Sequence, residues 1–264
     1  MAEAFVKIEV DQQGIASVTL NRPDVRNAFD DRMIAQLDRG FADLAGRVDV
    51  AAVVLRGAGK SFSAGADLGW MERAASYTEA QNYDDALALA TMLNRLYTLP
   101  KPVIAVVHGA AMGGGLGLVA CCDIVLADAH TVFALSEVKL GLIPATIAPY
   151  VLRAIGERAF RRYAVTGERF DGRMAKAMGL AHEVAETEEG LQPLLEAMLK
   201  QLSANGISAM TESKRLAINL AGRPVDAALM EDTARRIAST RAGAEAKEGL
   251  TAFFEKRKPG WVRN

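Results

Sequence analysis

The chain has 264 residues and a formal net charge of −1, with 24% charged and 50% hydrophobic residues. That is length enough for one large domain, or a domain with an extension, and nothing in the charge draws it to nucleic acid or acidic lipid. The only cysteines, Cys121 and Cys122, are adjacent; they offer no disulfide framework or metal site and suit a reducing compartment.

Phe5–Val10 and Ile15–Leu20 read as strands joined by a turn at Asp11–Gly14. Glu3, Lys7 and Glu9 interrupt the apolar residues there, so no secretory core is expected. From about Asp31, Met33, Ile34, Leu37, Phe41 and Leu44 repeat at helical spacing. Val50–Leu55 is a wholly apolar strand of the buried kind. Thr78-Glu79-Ala80-Gln81 fits a capping box opening a helix that ends at Leu99-Pro100. Further strands are expected at Pro102–Val107, Ile124–Leu126, Thr131–Leu135 and Ala181–Val184. Helices are expected at Tyr150–Ile155, Glu157–Val165, Gly172–Met178, Glu189–Ser203, Ile207–Leu220, Val225–Ser239 and Ala244–Phe254. Strands alternate with helices for two-thirds of the chain and helices alone finish it, an α/β core with a helical C-terminal extension.

One stretch organises the rest. After the strand at Pro102–Val107 come His108-Gly109-Ala110-Ala111-Met112 and then Gly113-Gly114-Gly115, opening a helix apolar on all sides. Glycines at a helix start remove every side chain, so the first N–H groups approach a ligand closely, aided by the helix dipole. The result suits an oxyanion or phosphate. From Pro102 to Cys122 there is no charged residue, which is the length of a membrane span, and Gly109, Gly113 and Gly117 fall at membrane-dimer spacing. No basic cluster flanks the stretch, and a Gly triplet is poor helix interior, so the membrane reading is set aside; glycines needed only for close strand–helix packing are the other competing reading.

No nucleophile elbow frames Ser61 or Ser63, no Walker loop exists, and His108, His130 and His182 lack paired-ligand spacing. One carboxylate stands out. Glu137, in Phe133–Pro144, has apolar neighbours on both sides, and a carboxyl drawn into them has a raised pKa suited to proton transfer. A surface Glu paired with Lys139, or a helix-capping one, is the competing reading.

Gly57–Leu68, His108–Gly115, Cys122-Asp123-Ile124, Leu20–Ala28 and Phe253–Pro259 together resemble the enoyl-CoA hydratase/isomerase (crotonase) superfamily over nearly the whole chain. The resemblance implies a spiral of ββα turns, taken as residues 1–203, with a helical C-terminal region at 204–264 that packs subunits into trimers, often paired as hexamers. It implies an acyl-CoA thioester as ligand and no metal or redox cofactor; cysteine usage and the N-terminus point to a cytoplasmic protein of bacterial type, or an organelle matrix after trimming, and the charge to no nucleic-acid or membrane partner. By motif position, the N–H groups of Ala66 and Gly114 hold the thioester oxygen and Glu137 moves the proton. Lys60 meets the CoA phosphates, Arg26 the adenine end, and Lys256 a neighbour's CoA. Ala28, Ala64, Leu68, Gly113, Gly117 and Pro144 fall in the substrate-binding set, with Asp67 as a loop brace.

The sequence also departs from the pattern. Two-carboxylate hydratases carry a first Glu twenty residues before the second; here that position is Gly117, whose absent side chain is expected to have pointed at the substrate. Ala145-Thr146-Ile147-Ala148-Pro149 replaces a glycine-rich run and is expected to give the acyl pocket bulkier walls. Members with only the Glu137-type carboxylate include Δ3,Δ2-enoyl-CoA isomerases. Gly69-Trp70-Met71, Leu118–Asp123 and Glu137–Ala145 are more similar to a bacterial branch that hydrates methylglutaconyl-CoA and related thioesters in leucine or acyclic terpene breakdown. Hydration of a short or branched enoyl-CoA is therefore the leading expectation and isomerisation the second. A catalytically idle CoA- or RNA-binding protein is the third, opposed by the intact glycine blocks and Glu137.

Overall fold

The computed structural model describes residues 4–262, so Glu3 and the outer ends of the two expected segments lie outside the described residues. β1 (Val6–Val10) and β2 (Ile15–Leu20) form an antiparallel hairpin with Ile8 opposite Val18. Its turn is held by Asp11, whose Oδ1 accepts from the N–H groups of Gln13 and Ile15. α1 (Asp31–Gly46) starts at Asp30, whose carboxylate accepts from the N–H of Met33. Its buried face carries Met33, Ile34, Leu37, Phe41 and Leu44, the spacing read from sequence.

β3 (Ala52–Gly57) leads to α2 (Leu68–Ala74) and α3 (Glu79–Tyr97), the latter opened by the Thr78–Gln81 capping box. β4 (Val103–Val107), β5 (Ala110–Met112) and α4 (Gly114–Ala120) follow, then β6 (Ile124–Asp128) and β7 (Val132–Ala134). The two helices expected over 150–165 are the halves of α5 (Ala148–Thr166), broken where Gly156 takes φ 76° and ψ 163°. β8 (Arg169–Phe170), α6 (Gly172–Met178), β9 (Glu183–Ala185) and α7 (Leu191–Ser203) complete the core. α8 (Ile207–Leu220), α9 (Ala227–Ala242) and α10 (Ala244–Phe254) end the chain.

Successive turns of a spiral stack into two sheets, one of order β1-β2-β3-β4-β6-β9 and one of order β5-β7-β8. Past the β1–β2 hairpin the larger sheet is parallel, with Val18 beside Leu55, Leu55 beside Ala105, and Val106 beside Leu126. β4 and β6 each send the chain on to a strand of the smaller sheet, β5 and β7, themselves parallel with Met112 opposite Ala134. Earlier turns do so without full strands: single parallel bridges join Ser63 to Ala111 and Phe29 to Ala66. All five residues of β4 are buried because both faces of the sheet are covered. Val53, Leu55 and Val107 pack on one side with Phe41, Leu93 and Leu116. Val54, Ile104 and Leu126 pack on the other with Leu191 and Leu195 of α7.

α2, β5 and β8 were not expected from sequence. α2 buries only Trp70, so no apolar period marks it. β5 and β8 are too short to carry a pattern, and pairing with distant chain defines them. The extension is tied down at α8, where Lys214 Nζ meets Asp123 Oδ2 at 2.7 Å and Thr211 Oγ1 donates to the Pro100 carbonyl. Farther on, Phe253 and Phe254 of α10 are each 75% exposed. Among the described residues no helix is long and apolar enough to cross a membrane.

Candidate active site

The β5–β7 pair builds the centre of the site. It delivers Gly113 at the end of β5 and, three residues past β7, Glu137 at the start of a single 3₁₀ turn, Glu137–Leu140. Gly113 N–H donates to the Ala134 carbonyl at 2.9 Å, locking the two ends together. A Cβ added to Gly113 would stand 3.1 Å from Glu137 Oε1, and its φ of 49° also favours glycine. The carboxyl of Glu137 thus lies directly against the N-terminus of α4.

Glu137 Oε2 is buried without a hydrogen-bond partner. Burial pushes the carboxyl above the ordinary glutamate range, only partly opposed by a hydrogen bond to its own backbone. Among the described residues Glu137 forms no ion pair with Lys139, whose stem instead packs near Gly167. Glu137 is therefore not an acid paired with Lys139.

The second wall is the loop after β3. Ser63 N–H donates to the Ala110 carbonyl, and Met112 N–H donates back to the Ser63 carbonyl, so residues 62–65 run alongside β5. Phe29 N–H donates to the Gly65 carbonyl and Asp67 N–H donates to the Phe29 carbonyl, which brackets Ala66. The Phe29 ring reaches across to α4, where a Cβ on Gly114 would stand 2.8 Å from its Cε2. Ala66 and Gly114 thus both lie against Phe29. Among the described residues neither N–H has a protein acceptor. The fold places two free donors, and an acid with one buried oxygen lacking a partner, around one helix start, the parts needed to stabilise charge on an oxygen while a proton moves nearby.

Asp67 is the loop brace expected of it, but sequence reasoning missed the partners that bracket this loop, Arg22 and Asn27. Arg22 donates to the Ala28 carbonyl (2.6 Å) and to Asp67 Oδ2 (3.0 Å), tying the turn before α1 to the start of α2. Asp67 also caps α2 by accepting from the N–H of Trp70, so its carboxylate is committed to bracing. Asn27, fully buried, donates to the carbonyls of Ala58 and Ser61 and accepts from the N–H of Arg22. Arg26 and Asn27 both take positive φ, 53° and 55°, and the Arg26 carbonyl accepts from Ala64 N–H. The signal for these residues stood in the Leu20–Ala28 block but spacing alone gives a turn residue no partner.

Of the other expected residues, Ala28 is buried, Ala64 half-buried, and Leu68 and Lys60 exposed on the rim of the same loop. Pro144 is half-buried and begins the run into α5. Arg26 is exposed. Lys256 is exposed at the end of α10, and among the described residues no hydrogen bond or ion pair joins it to these loops. His108 and His182 hold the carbonyl of Gly59 and the N–H of Val125, as turn or core histidines do. Among the described residues no cluster could hold a metal ion.

One expectation is corrected. A Cβ at Gly117 would not point at open space over the substrate: it would stand 2.8 Å from Ile147 Cβ and 3.8 Å from Leu93 Cδ2. Ile147, 1% exposed, fills that volume. A glutamate placed there alone is therefore expected to disrupt packing rather than to add a catalytic acid.

A sequence model described as enoyl-CoA hydratase/isomerase matches residues 10–264. A crystal structure of an enoyl-CoA hydratase from Shewanella pealeana superimposes with a TM-score of 0.94 at 40% identity, covering 97% of this chain and 96% of that one. Pseudomonas aeruginosa AtuE gives 0.93 at 37%, covering 98% and 100%. The enoyl-CoA hydratase AFT6-1 of Alternaria alternata is 33% identical over 94% of this chain and 80% of its own. With the ββα spiral, the glycine-led helix and its acid already in place, the chain belongs to the enoyl-CoA hydratase/isomerase family, with the crotonase fold.

Proposed function

We propose that the protein adds water across the double bond of a short or branched enoyl-CoA, with methylglutaconyl-CoA as the specific substrate. The observation that carries the reading is the Glu137 carboxyl set against the start of α4, with one oxygen buried and without a partner. The N–H groups of Ala66 and Gly114 hold the thioester oxygen, on which charge builds as the β-carbon is attacked. Glu137 takes a proton from the water whose oxygen bonds to the β-carbon. The electron pair of the double bond passes to the thioester oxygen, and Glu137 then returns the proton to the α-carbon. A carboxyl with a raised pKa is suited to both halves of that transfer. The 59–68 loop, with exposed Lys60 and Arg26 at its rim, takes the CoA moiety.

A second reading is 1,3-proton transfer, converting a 3-enoyl to a 2-enoyl thioester. It is favoured by one observation: Ile147 fills the space beside Gly117, leaving Glu137 as the carboxyl at the helix start. The same proposal takes residues 1–203 as the acyl-CoA-binding core and 204–264 as the region that joins subunits into a trimer or a pair of trimers. Exposed Phe253 and Phe254, and Lys256 beside them, fit such a contact. It further takes the enzyme to be cytoplasmic and to need no cofactor beyond CoA.

The test is to incubate the purified protein with crotonyl-, 3-methylglutaconyl- and 3-hexenoyl-CoA and follow the products by mass spectrometry. A gain of one water supports hydration, with methylglutaconyl-CoA the best substrate. An unchanged mass with a moved double bond supports isomerisation and overturns the leading reading.

A further inference from the structure

The four glycines of the α4 start meet four different neighbours, and those neighbours divide the site. A Cβ at Gly113 would approach Glu137, at Gly114 Phe29, at Gly115 Ser63, and at Gly117 Ile147. Gly117 N–H donates to the Gly113 carbonyl at 3.1 Å, so these two positions stand one helical turn apart. The seat of Ile147 therefore lies one turn along α4 from the glycine that the Glu137 carboxyl abuts.

Ile147 is held there by its backbone. It caps α5, and its carbonyl accepts from the N–H groups of both Tyr150 and Val151. Its Cγ2 is the closest atom to that position, and its Cβ, which no rotamer change can move, also stands 2.8 Å from it. A side chain at 117 and an isoleucine at 147 are thus mutually exclusive while α5 keeps its place.

We propose that Ile147 is a specificity-determining residue. Seated on Gly117, it closes the position from which a second carboxyl would reach the reacting carbons, and so confines proton transfer to Glu137. The inference rests on the thioester reading of the site and names the residue that limits its chemistry. The consequence concerns substrates. Simple straight-chain enoyl-CoA, which brings no polar group of its own to orient a water, is hydrated poorly. Replacing the pair Gly117/Ile147 by a carboxylate and a small residue raises that reaction.

The experiment compares Ile147→Gly, Ile147→Gly/Gly117→Glu and Ile147→Gly/Gly117→Gln for crotonyl-CoA hydration. A positioned acid/base typically contributes 10²–10⁴-fold, so the Glu variant is expected to exceed its Gln control by about tenfold or more. Equal rates in the two would overturn the proposal. Thermal unfolding checks the seat without reference to turnover. Gly117→Ala is expected to lower Tm by about 5 °C or more in the wild-type chain and to be neutral or stabilising in the Ile147→Gly chain. The same shift in both backgrounds would show that Ile147 does not occupy the position. Absence of turnover of any enoyl-CoA by the wild-type protein would instead defeat the thioester reading, with the Tm comparison still reporting on the seat.

Discussion

Glu137→Gln removes the group on which the proposed chemistry depends while preserving its size. One buried oxygen of this carboxyl has no partner, and burial raises its pKa. An unsatisfied buried polar atom costs about 1–3 kcal/mol, and more when the group is charged. Neutralising the side chain is therefore expected to stabilise the protein by about 1 kcal/mol at pH 8, a rise of about 2–4 °C in Tm. The sign follows from linkage. A glutamate with a raised folded pKa binds protons more tightly when folded, so its contribution to stability is fully present below its unfolded pKa, and it is lost as pH rises through the folded value. The advantage of the Gln variant should accordingly shrink on acidification and vanish below about pH 4, under the ordinary glutamate value. Activity should move the opposite way, with kcat falling by about 10²–10⁴-fold because the proton carrier is gone. Differential scanning fluorimetry from pH 4 to 8, beside the hydration assay, measures both. A Gln variant that is less stable than wild type at pH 8, or keeps full turnover, would refute the assignment of Glu137 as a strained, functional acid.

Other outcomes follow from the same contacts. Gly114→Ala pushes a methyl into the ring of Phe29 and displaces a free N–H, so kcat/KM should fall about 10²-fold, with Phe29→Leu in the same chain restoring part of it. Arg22→Lys loses the fork that joins Ala28 to Asp67, and kcat should drop about tenfold with Tm little changed; an unaffected kcat would deny Arg22 a positioning role. Lys214→Met strands the carboxylate of Asp123 and should cost about 3 kcal/mol, read as a loss of about 6–12 °C in Tm. Adding Asp123→Asn should recover much of that loss, whereas additive losses would show that the pair is not coupled.

Much of this protein was legible before folding was considered. The period of Met33, Ile34, Leu37, Phe41 and Leu44 marked α1, and the Thr78–Gln81 box marked the start of α3 to the residue. The glycine triplet identified the helix start that carries the site, because only glycine leaves those amides bare. The motif blocks pointed to the family that the whole-chain comparisons then established. What local pattern left open was the setting of Glu137, since a lone acid among apolar residues reads equally well as a surface pair.

The alternation of strands and helices, the bare helix start and the residue types available to it depend on periodicity and backbone freedom within a short window, and so are legible locally. Which residues meet depends on how distant parts of the chain pack. Parallel pairing of β5 with β7 brings Gly113 to Glu137 across more than twenty residues, and the Ser63 and Phe29 bridges bring Ala66 to the same helix. That packing also gives the space beside Gly117 to Ile147, a contact between a helix interior and the first turn of another. A glycine records that something passes close by; what passes is set by the packing of distant chain, and no local spacing encodes it.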